Sequence, residues 1–273
     1  VSCEVNPNTL FLDVEDVRKK ITQNTKVIMP VHYASNSKGM REIYKLAKEY
    51  NLRIVEDAAQ SFGSKRNGRL VGVKGDIICF SFDGIKNITS GEGGAILSHD
   101  KEFIQKVRDG RLLGVEKDTN KRYSGQRSWD FDVSHQGFRY HMSNIMAAIG
   151  IVQIDRIEEF RVKRQNIAKK YIKELRNIEE VEFLDFNYNE ILPHIFVVKV
   201  QNRDELRKYL IANNVESGVH YKPNHLLSKY KLDDGLSITE KIYKEILTLP
   251  CHFDLTDKEQ NFIVMKVMEF YGK

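Results

Sequence analysis

The chain has 273 residues, 41% hydrophobic and 30% charged, the balance of a globular protein with room for one large α/β domain and a smaller one. Its 43 basic and 38 acidic residues leave a net charge of only +5, with no basic arm or aromatic-basic stripe, which argues against nucleic-acid binding and suits a small anionic ligand. No apolar run is long enough to span a bilayer, and the scattered Cys3, Cys79 and Cys251 offer neither metal-ligand spacing nor a disulfide framework, so a reducing cytoplasm is expected.

Asp13 precedes Val14, Val17 and Ile21 at helical spacing and reads as an N-cap. Val27 to Val31 is a short apolar run expected as a buried strand. Met40, Ile43, Leu46, Ala47 and Tyr50 mark a second helix face, and Arg53 to Glu56 a second strand. Strands are also expected at Asp76 to Phe82 and Gly94 to Ser98, followed by a helix carrying Phe103, Ile104 and Val107. This alternation predicts a mostly parallel sheet covered on both faces by helices.

Between Arg111 and His135 the periodicity gives way to polar, charged and aromatic residues. Such long excursions are often functional or interface-forming; Trp129 within it is expected to pack. From Ser143 one long helix is expected, with Ile145, Ala148, Ile149, Val152, Ile157 and Phe160 on its apolar side, running past Tyr171. The remainder reads as α+β, with strands at Val181 to Leu184 and His194 to Val200. Its helices are expected near Asp204 to Asn213, Thr239 to Leu247 and Thr256 to Tyr271. The expected division is residues 1–150 as part of a large ligand-holding domain and 151–273 as bridging helix and smaller domain.

In open α/β sheets ligands bind beyond the carboxyl ends of the strands. Ile54-Val55-Glu56-Asp57-Ala58-Ala59-Gln60 ends an apolar strand at Asp57, and the small residues after it leave room for a flat ligand. Read alone, Asp57 is better explained as the cap of a following helix. Farther on, an apolar strand delivers Ser81, a turn carries a lone Lys86, and Gly91-Glu92-Gly93-Gly94 forms a bend. Read alone, Lys86 is a surface loop lysine and the glycines serve a tight turn. The glycine spacing fits neither a dinucleotide fingerprint nor a P-loop.

Taken together, Glu56-Asp57-Ala58-Ala59-Gln60, Phe80-Ser81-Phe82, Lys86-Asn87 and the glycine bend resemble the DegT-type sugar aminotransferases in order and spacing. Lys86 follows Asp57 by 86 − 57 = 29 positions. The resemblance runs over the whole chain, to Leu247-Thr248-Leu249-Pro250. It implies the α/β aspartate-aminotransferase-like fold (fold type I) and pyridoxal 5'-phosphate as cofactor. Lys86 would be the catalytic Schiff-base lysine which, once freed as an amine, shuttles a proton between cofactor and substrate carbons. Asp57 would pair with the pyridine nitrogen so that the ring acts as an electron sink. Gln60 would bond on the ring-hydroxyl side and Ser81 would donate to the cofactor phosphate. Related dehydratases carry histidine at the lysine position, so Lys86 implies amino transfer.

Gly137-Phe138-Arg139-Tyr140-His141-Met142 departs from the family's Gly-x-Asn-x-Arg-Met, which reaches the cofactor phosphate from the partner subunit. Arg139 can still bind phosphate; His141 is open between that role and a packed or interface histidine. Val219-His220-Tyr221-Lys222-Pro223-Asn224-His225 resembles the family's His-Tyr-x-Pro-x-His segment beside the sugar-nucleotide pocket. His220, Tyr221 and His225 are therefore substrate-binding candidates, while a loop made rigid by Pro223 explains the segment equally well. No metal site is expected there, because no carboxylate or cysteine stands nearby in sequence. Asp83 stands where many relatives have histidine or tyrosine; it either adjusts the pocket or, more simply, stabilises the turn.

The resemblance further implies a homodimer with shared sites, glutamate as amino donor, a nucleotide-diphospho keto-sugar as acceptor, and a place in surface-glycan synthesis. It also implies that the chain opens after an N-terminal portion that supplies a phosphate-binding helix N-terminus and an aromatic residue stacked on the ring. With Lys86, Asp57, Gln60 and Ser81 in place, a fragment of a longer protein is expected rather than an inactive product. The alternatives are a non-catalytic or truncated paralogue kept for dimerisation, and an enzyme of another class on the same cofactor, such as a dehydratase.

Overall fold

Asp13 accepts from the Asp16 N–H at 2.9 Å and caps α1 (Val14–Lys20), whose acidic first turn and basic last turn suit the helix dipole. β1 (Val27–Ile28), α2 (Met40–Glu49) and β2 (Arg53–Asp57) follow. α2 buries Met40, Ile43, Leu46 and Ala47, the stripe its periodicity predicts. The computed structural model describes every residue except 117–123, 126–130, 134 and 232–234. Trp129 and part of the excursion after Arg111 therefore lie outside the described residues.

A hairpin of β3 (Lys65–Arg66) and β4 (Arg69–Leu70) adds a pair not expected from the strand patterning. It turns on Asn67 and Gly68, with φ of 53° and 74°, the conformation that an Asn-Gly pair favours. β5 (Ile77–Ser81) and β6 (Gly94–Ser98) complete a sheet of order β1-β2-β5-β6. β1, β2 and β5 are parallel, as expected, whereas β6 runs antiparallel to β5. Residues 82–93 contain no helix that could carry the chain back for a parallel crossover. α3 (Lys101–Gly110) is capped by Asp100, which accepts from Phe103 N at 3.0 Å.

Ser143 caps α4 (Asn144–Asp155). The single long helix expected from here is in fact two, because Arg156 leaves helical geometry at φ −93° and ψ 1° before α5 (Ile157–Leu175) begins. Its guanidinium bonds Glu159 at 3.0 Å and lies 4.9 Å from the Phe160 ring and 5.4 Å from that of Phe253. The break is thus anchored by side chains, with neither glycine nor proline. β7 (Val181–Phe183), β8 (Phe196–Val200), α6 (Arg203–Ala212), α7 (Ser237–Glu245), β9 (Ile246–Leu249) and α8 (Asp257–Phe270) follow. The helix expected to reach Leu247 stops at Glu245, because Ile246–Leu249 is buried throughout and pairs antiparallel with β8.

Tyr171 and Leu175 of α5, Phe196 and Val198 of β8, Leu206 and Leu210 of α6 and Ile263 of α8 pack into one core. Each such side chain contributes roughly 1.5–3 kcal/mol by leaving water. Phe11, Met40, Ile43, Leu46 and Ile54 form another. A third brings Leu10 and Ala34 against Leu184, Val197, Ile242 and Ile246, joining early and late parts of the chain.

Candidate active site

Because β2 and β5 are parallel and Asp57 pairs with Cys79, the carboxyl ends of both strands open on the same edge of the sheet. Asp57 is fixed through its backbone: its N–H donates to Pro30 O and its carbonyl accepts from His32 N, both at 2.9 Å. Strand alternation then sends neighbouring side chains to opposite faces. Glu56 is fully buried, with Tyr44 Oη at 2.7 Å, Arg66 Nη1 at 2.8 Å and His32 Nε2 at 2.9 Å. Asp57 is half-buried and faces a cavity of about 1010 Å³. No helix begins after Asp57; its Oδ1 instead accepts from Ala59 N at 3.1 Å.

Lys86 lines the same cavity. The turn that delivers it closes with Lys86 N donating to Asp83 O and Ile85 N donating to Asp83 Oδ1, both at 3.1 Å, so Asp83 acts as a turn residue. No described residue forms an ion pair or hydrogen bond with the Lys86 amine. The next residue, Asn87, is buried and donates to the carbonyls of Gln60, Phe62 and Leu192 at 2.9, 3.1 and 3.1 Å. It ties the Lys86 turn to the segment after Asp57. That role was not read from the sequence, since its acceptors lie far off along the chain.

Gln60 is held at both ends of its amide: Oε1 accepts from Ala34 N at 2.6 Å, and Nε2 donates to Tyr221 Oη at 3.3 Å. Ala34 and Ser35 hold φ of 50° and 71°, a left-handed pair without glycine, and Ser35 Oγ donates to Gln60 O. Strain of this kind persists where the surroundings over-determine it. Tyr33 is a wall residue missed in the sequence; its hydroxyl donates to His220 O, and burial pushes its pKa well up.

His220, Tyr221 and His225 also line the cavity. His220 Nδ1 lies 2.9 Å from Thr248 Oγ1, and burial lowers its pKa. Tyr221 is pushed up by burial and by the charge of Asp57. His225 is only 2% exposed, and its Nε2 is turned to Glu240 Oε1 at 3.0 Å. Ser81 and Arg139 are not among the lining residues. Ser81 ends β5, and its Oγ accepts from Asp83 N at 3.4 Å. Arg139 is exposed, as is His141, and bridges to Leu112. The structure thus gathers Asp57, Gln60, Lys86, His220, Tyr221 and His225 around one space and leaves Ser81 and Arg139 outside it. A primary amine and a carboxylate lining one cavity of this volume are a set that fits an aldehyde cofactor with a protonated ring nitrogen.

The sequence profile of the DegT/DnrJ/EryC1/StrS aminotransferase family matches residues 1–268. The chain belongs to this family. It is 34% identical to a protein of Methanocaldococcus jannaschii over 100% of this chain and 74% of that one. It is 32% identical to GDP-perosamine synthase of Escherichia coli O157:H7, over 97% of this chain and 71% of the relative. The PMP form of a putative sugar aminotransferase from Streptococcus pneumoniae superposes with a TM-score of 0.89 at 25% identity, covering 99% of this chain and 75% of that one. The expected family and α/β fold are therefore established, and the chain is an aminotransferase of the DegT type.

Proposed function

We propose that this aminotransferase uses pyridoxal 5'-phosphate held by Lys86 to move an amino group from glutamate onto a nucleotide-diphospho keto-sugar. One observation carries the reading: Lys86, without an ion-pair partner among the described residues, and Asp57 line a single cavity at the carboxyl edge of the sheet. When bound, the cofactor supplies an electron sink for the carbon that loses its proton. Lys86 Nζ would hold the cofactor aldehyde and, when released, carry the proton between carbon atoms. The Asp57 carboxylate would keep the ring nitrogen protonated. Gln60 and Tyr221 would orient the ring, and Tyr33 and His220 would wall the reacting atoms from water. Ser81 and Arg139 are proposed for the phosphate, Arg139 acting from the partner subunit.

The E. coli relative's named product is a nucleotide-linked amino sugar, which supports that acceptor class; a place in surface-glycan synthesis belongs to the same proposal. His220, Tyr221 and His225 are the proposed sugar-side residues. The proposed setting is a reducing cytoplasm. The same reading divides the chain into a cofactor-holding part, 1–150, and a second part, 151–273. A homodimer is supported by α4, which buries none of its residues and exposes Ile145, Ile149, Ile151, Val152 and Ile154.

The deciding experiment incubates the protein with pyridoxal 5'-phosphate, reduces it with borohydride and locates the pyridoxyl label by peptide mass spectrometry. The label is expected on the peptide carrying Lys86 and absent from Lys86→Ala. Label elsewhere, or none, would overturn the assignment.

A further inference from the structure

Tyr33–Ser35 is a 3-10 turn in which Ala34 and Ser35 both hold positive φ, a conformation that non-glycine residues keep only where their surroundings fix it. Here the fixing partner is Gln60, gripped twice. Its side-chain Oε1 accepts from Ala34 N at 2.6 Å, and its main-chain carbonyl accepts from Ser35 Oγ. The same carbonyl accepts from Asn87 Nδ2 at 2.9 Å. The turn before α2 and the turn that carries Lys86 are therefore referenced to a single atom, Gln60 O.

Tyr33 extends this frame across the cavity. Its hydroxyl donates to His220 O, 187 positions away along the chain. Burial pushes that hydroxyl well above the ordinary tyrosine range, so it stays protonated and able to donate. His220 O belongs to the peptide that leads into Tyr221. As far as His220, β9 holds the segment: Gly218 and Thr248 exchange backbone bonds at 3.1 and 2.8 Å, and His220 Nδ1 lies 2.9 Å from Thr248 Oγ1. The next side-chain anchor is His225, on Glu240 at 3.0 Å. Between these anchors the Tyr221 side chain has one hydrogen bond among the described residues, from Gln60 Nε2 to its hydroxyl at 3.3 Å. That bond is long, so the backbone hold from Tyr33 decides where the ring stands. Because the Tyr221 oxygen accepts, its own hydrogen is left to donate into the cavity. Burial and the charge of Asp57 raise its pKa and keep that hydrogen in place.

We infer that Tyr33 is a positioning residue for Tyr221: by holding the His220 carbonyl it registers the Tyr221 hydroxyl against the frame that carries Lys86. Its catalytic meaning rests on the reading of Lys86 above. The registration itself is measured without cofactor or sugar, so either can fail while the other stands.

Fluorine NMR of the protein labelled with 3-fluorotyrosine tests it, with each line assigned by its own Tyr→Phe variant. In Tyr33→Phe the Tyr221 line is expected to move or broaden, while that of Tyr209, which packs on Phe270, stays in place. A Tyr221 line unchanged in Tyr33→Phe would overturn the positioning role. If that variant does not fold, Gln60→Leu opens the ring from its other side and is expected to move the Tyr33 and Tyr221 lines together. A Tyr33 line unmoved in Gln60→Leu would then overturn it. In turnover, Tyr33→Phe is expected to raise the KM for the keto-sugar roughly fivefold, the worth of one neutral hydrogen bond, and to lower kcat by less. A fall in kcat with KM unchanged would place Tyr33 among the reacting groups and equally overturn the inference.

Discussion

Asn87 holds the proposed Schiff-base lysine through the backbone it shares with it. Its one amide nitrogen serves three carbonyls, of Gln60, Phe62 and Leu192, from two distant stretches of chain. Asn87→Ala would leave the Phe62 and Leu192 carbonyls without this donor, while Gln60 O keeps that of Ser35 Oγ, at a cost of ~2–4 kcal/mol. It would also loosen the turn that aims Lys86, where a displacement of about 1 Å can cost on the order of 100-fold in rate. Urea unfolding and turnover of Asn87→Ala are expected to show both losses with Lys86 still present; a variant that keeps its rate would show that the lysine is aimed by something else. Residue by residue, legibility in the sequence tracked locality. Asp57 and Lys86, which read singly pass for a helix cap and a surface lysine, were legible because the two short motifs that carry them resemble the family's in order and spacing, a property of neighbours in sequence. The three acceptors of Asn87 and the bond between Gln60 and Tyr221 depend on segments that meet only in the fold.

Helix α4 carries the same lesson at the level of an element. Its apolar positions were read as the inner face of one continuous helix. Yet Ile145, Ile149 and Val152 are 77%, 45% and 59% exposed, and Ile151 and Ile154 are exposed on another side. A helix apolar on all sides belongs in an interior, and in the proposed homodimer that interior is the interface with a second copy. The neighbouring Phe138 and Tyr140 rings, stacked at 5.2 Å and exposed, extend that surface around Arg139. The double variant Ile145→Glu/Ile149→Glu is therefore expected to sediment as a monomer while keeping its circular dichroism. It should also lose cofactor affinity if Arg139 acts from the partner. An unchanged sedimentation coefficient would remove α4 from the interface. Burial that comes only from assembly cannot be told from core burial by periodicity. The same ambiguity hid β9, where Ile246–Leu249 continues a helical pattern by residue type and becomes a strand only because β8 lies open beside it. The break at Arg156 left no sequence signal either, since the Phe253 ring that helps anchor it lies on another part of the chain.

Across the whole molecule, the alternating pattern was enough to announce a mostly parallel sheet with helices, though not the antiparallel β6. What it could not announce is the polar knot that locks the sheet to its surroundings. Glu56 of β2 gathers Tyr44 of α2, Arg66 of the hairpin and His32 from the segment after β1, and His32 Nδ1 reaches on to Ser61 Oγ at 2.8 Å. Burial by itself pushes the Glu56 carboxyl up, but the contacts from His32 and Arg66 outweigh it and hold it at about 2, against an ordinary 4.5. A carboxyl lowered on folding adds stability that is fully present above its unfolded value and is lost as pH falls toward its folded one. The window for Glu56 thus runs from about pH 4.5 down to about pH 2. Glu56→Gln keeps the shape and removes the charge, leaving Arg66 without its counter-ion. At pH 7 this is expected to cost ~3 kcal/mol. The gap between variant and wild type should then narrow through that window, because the protonated wild-type carboxyl comes to resemble the amide. Urea midpoints of both proteins measured from pH 7 to pH 2 test this directly. A gap that stays constant over the whole range would mean that the charge of Glu56 does not hold these four segments together.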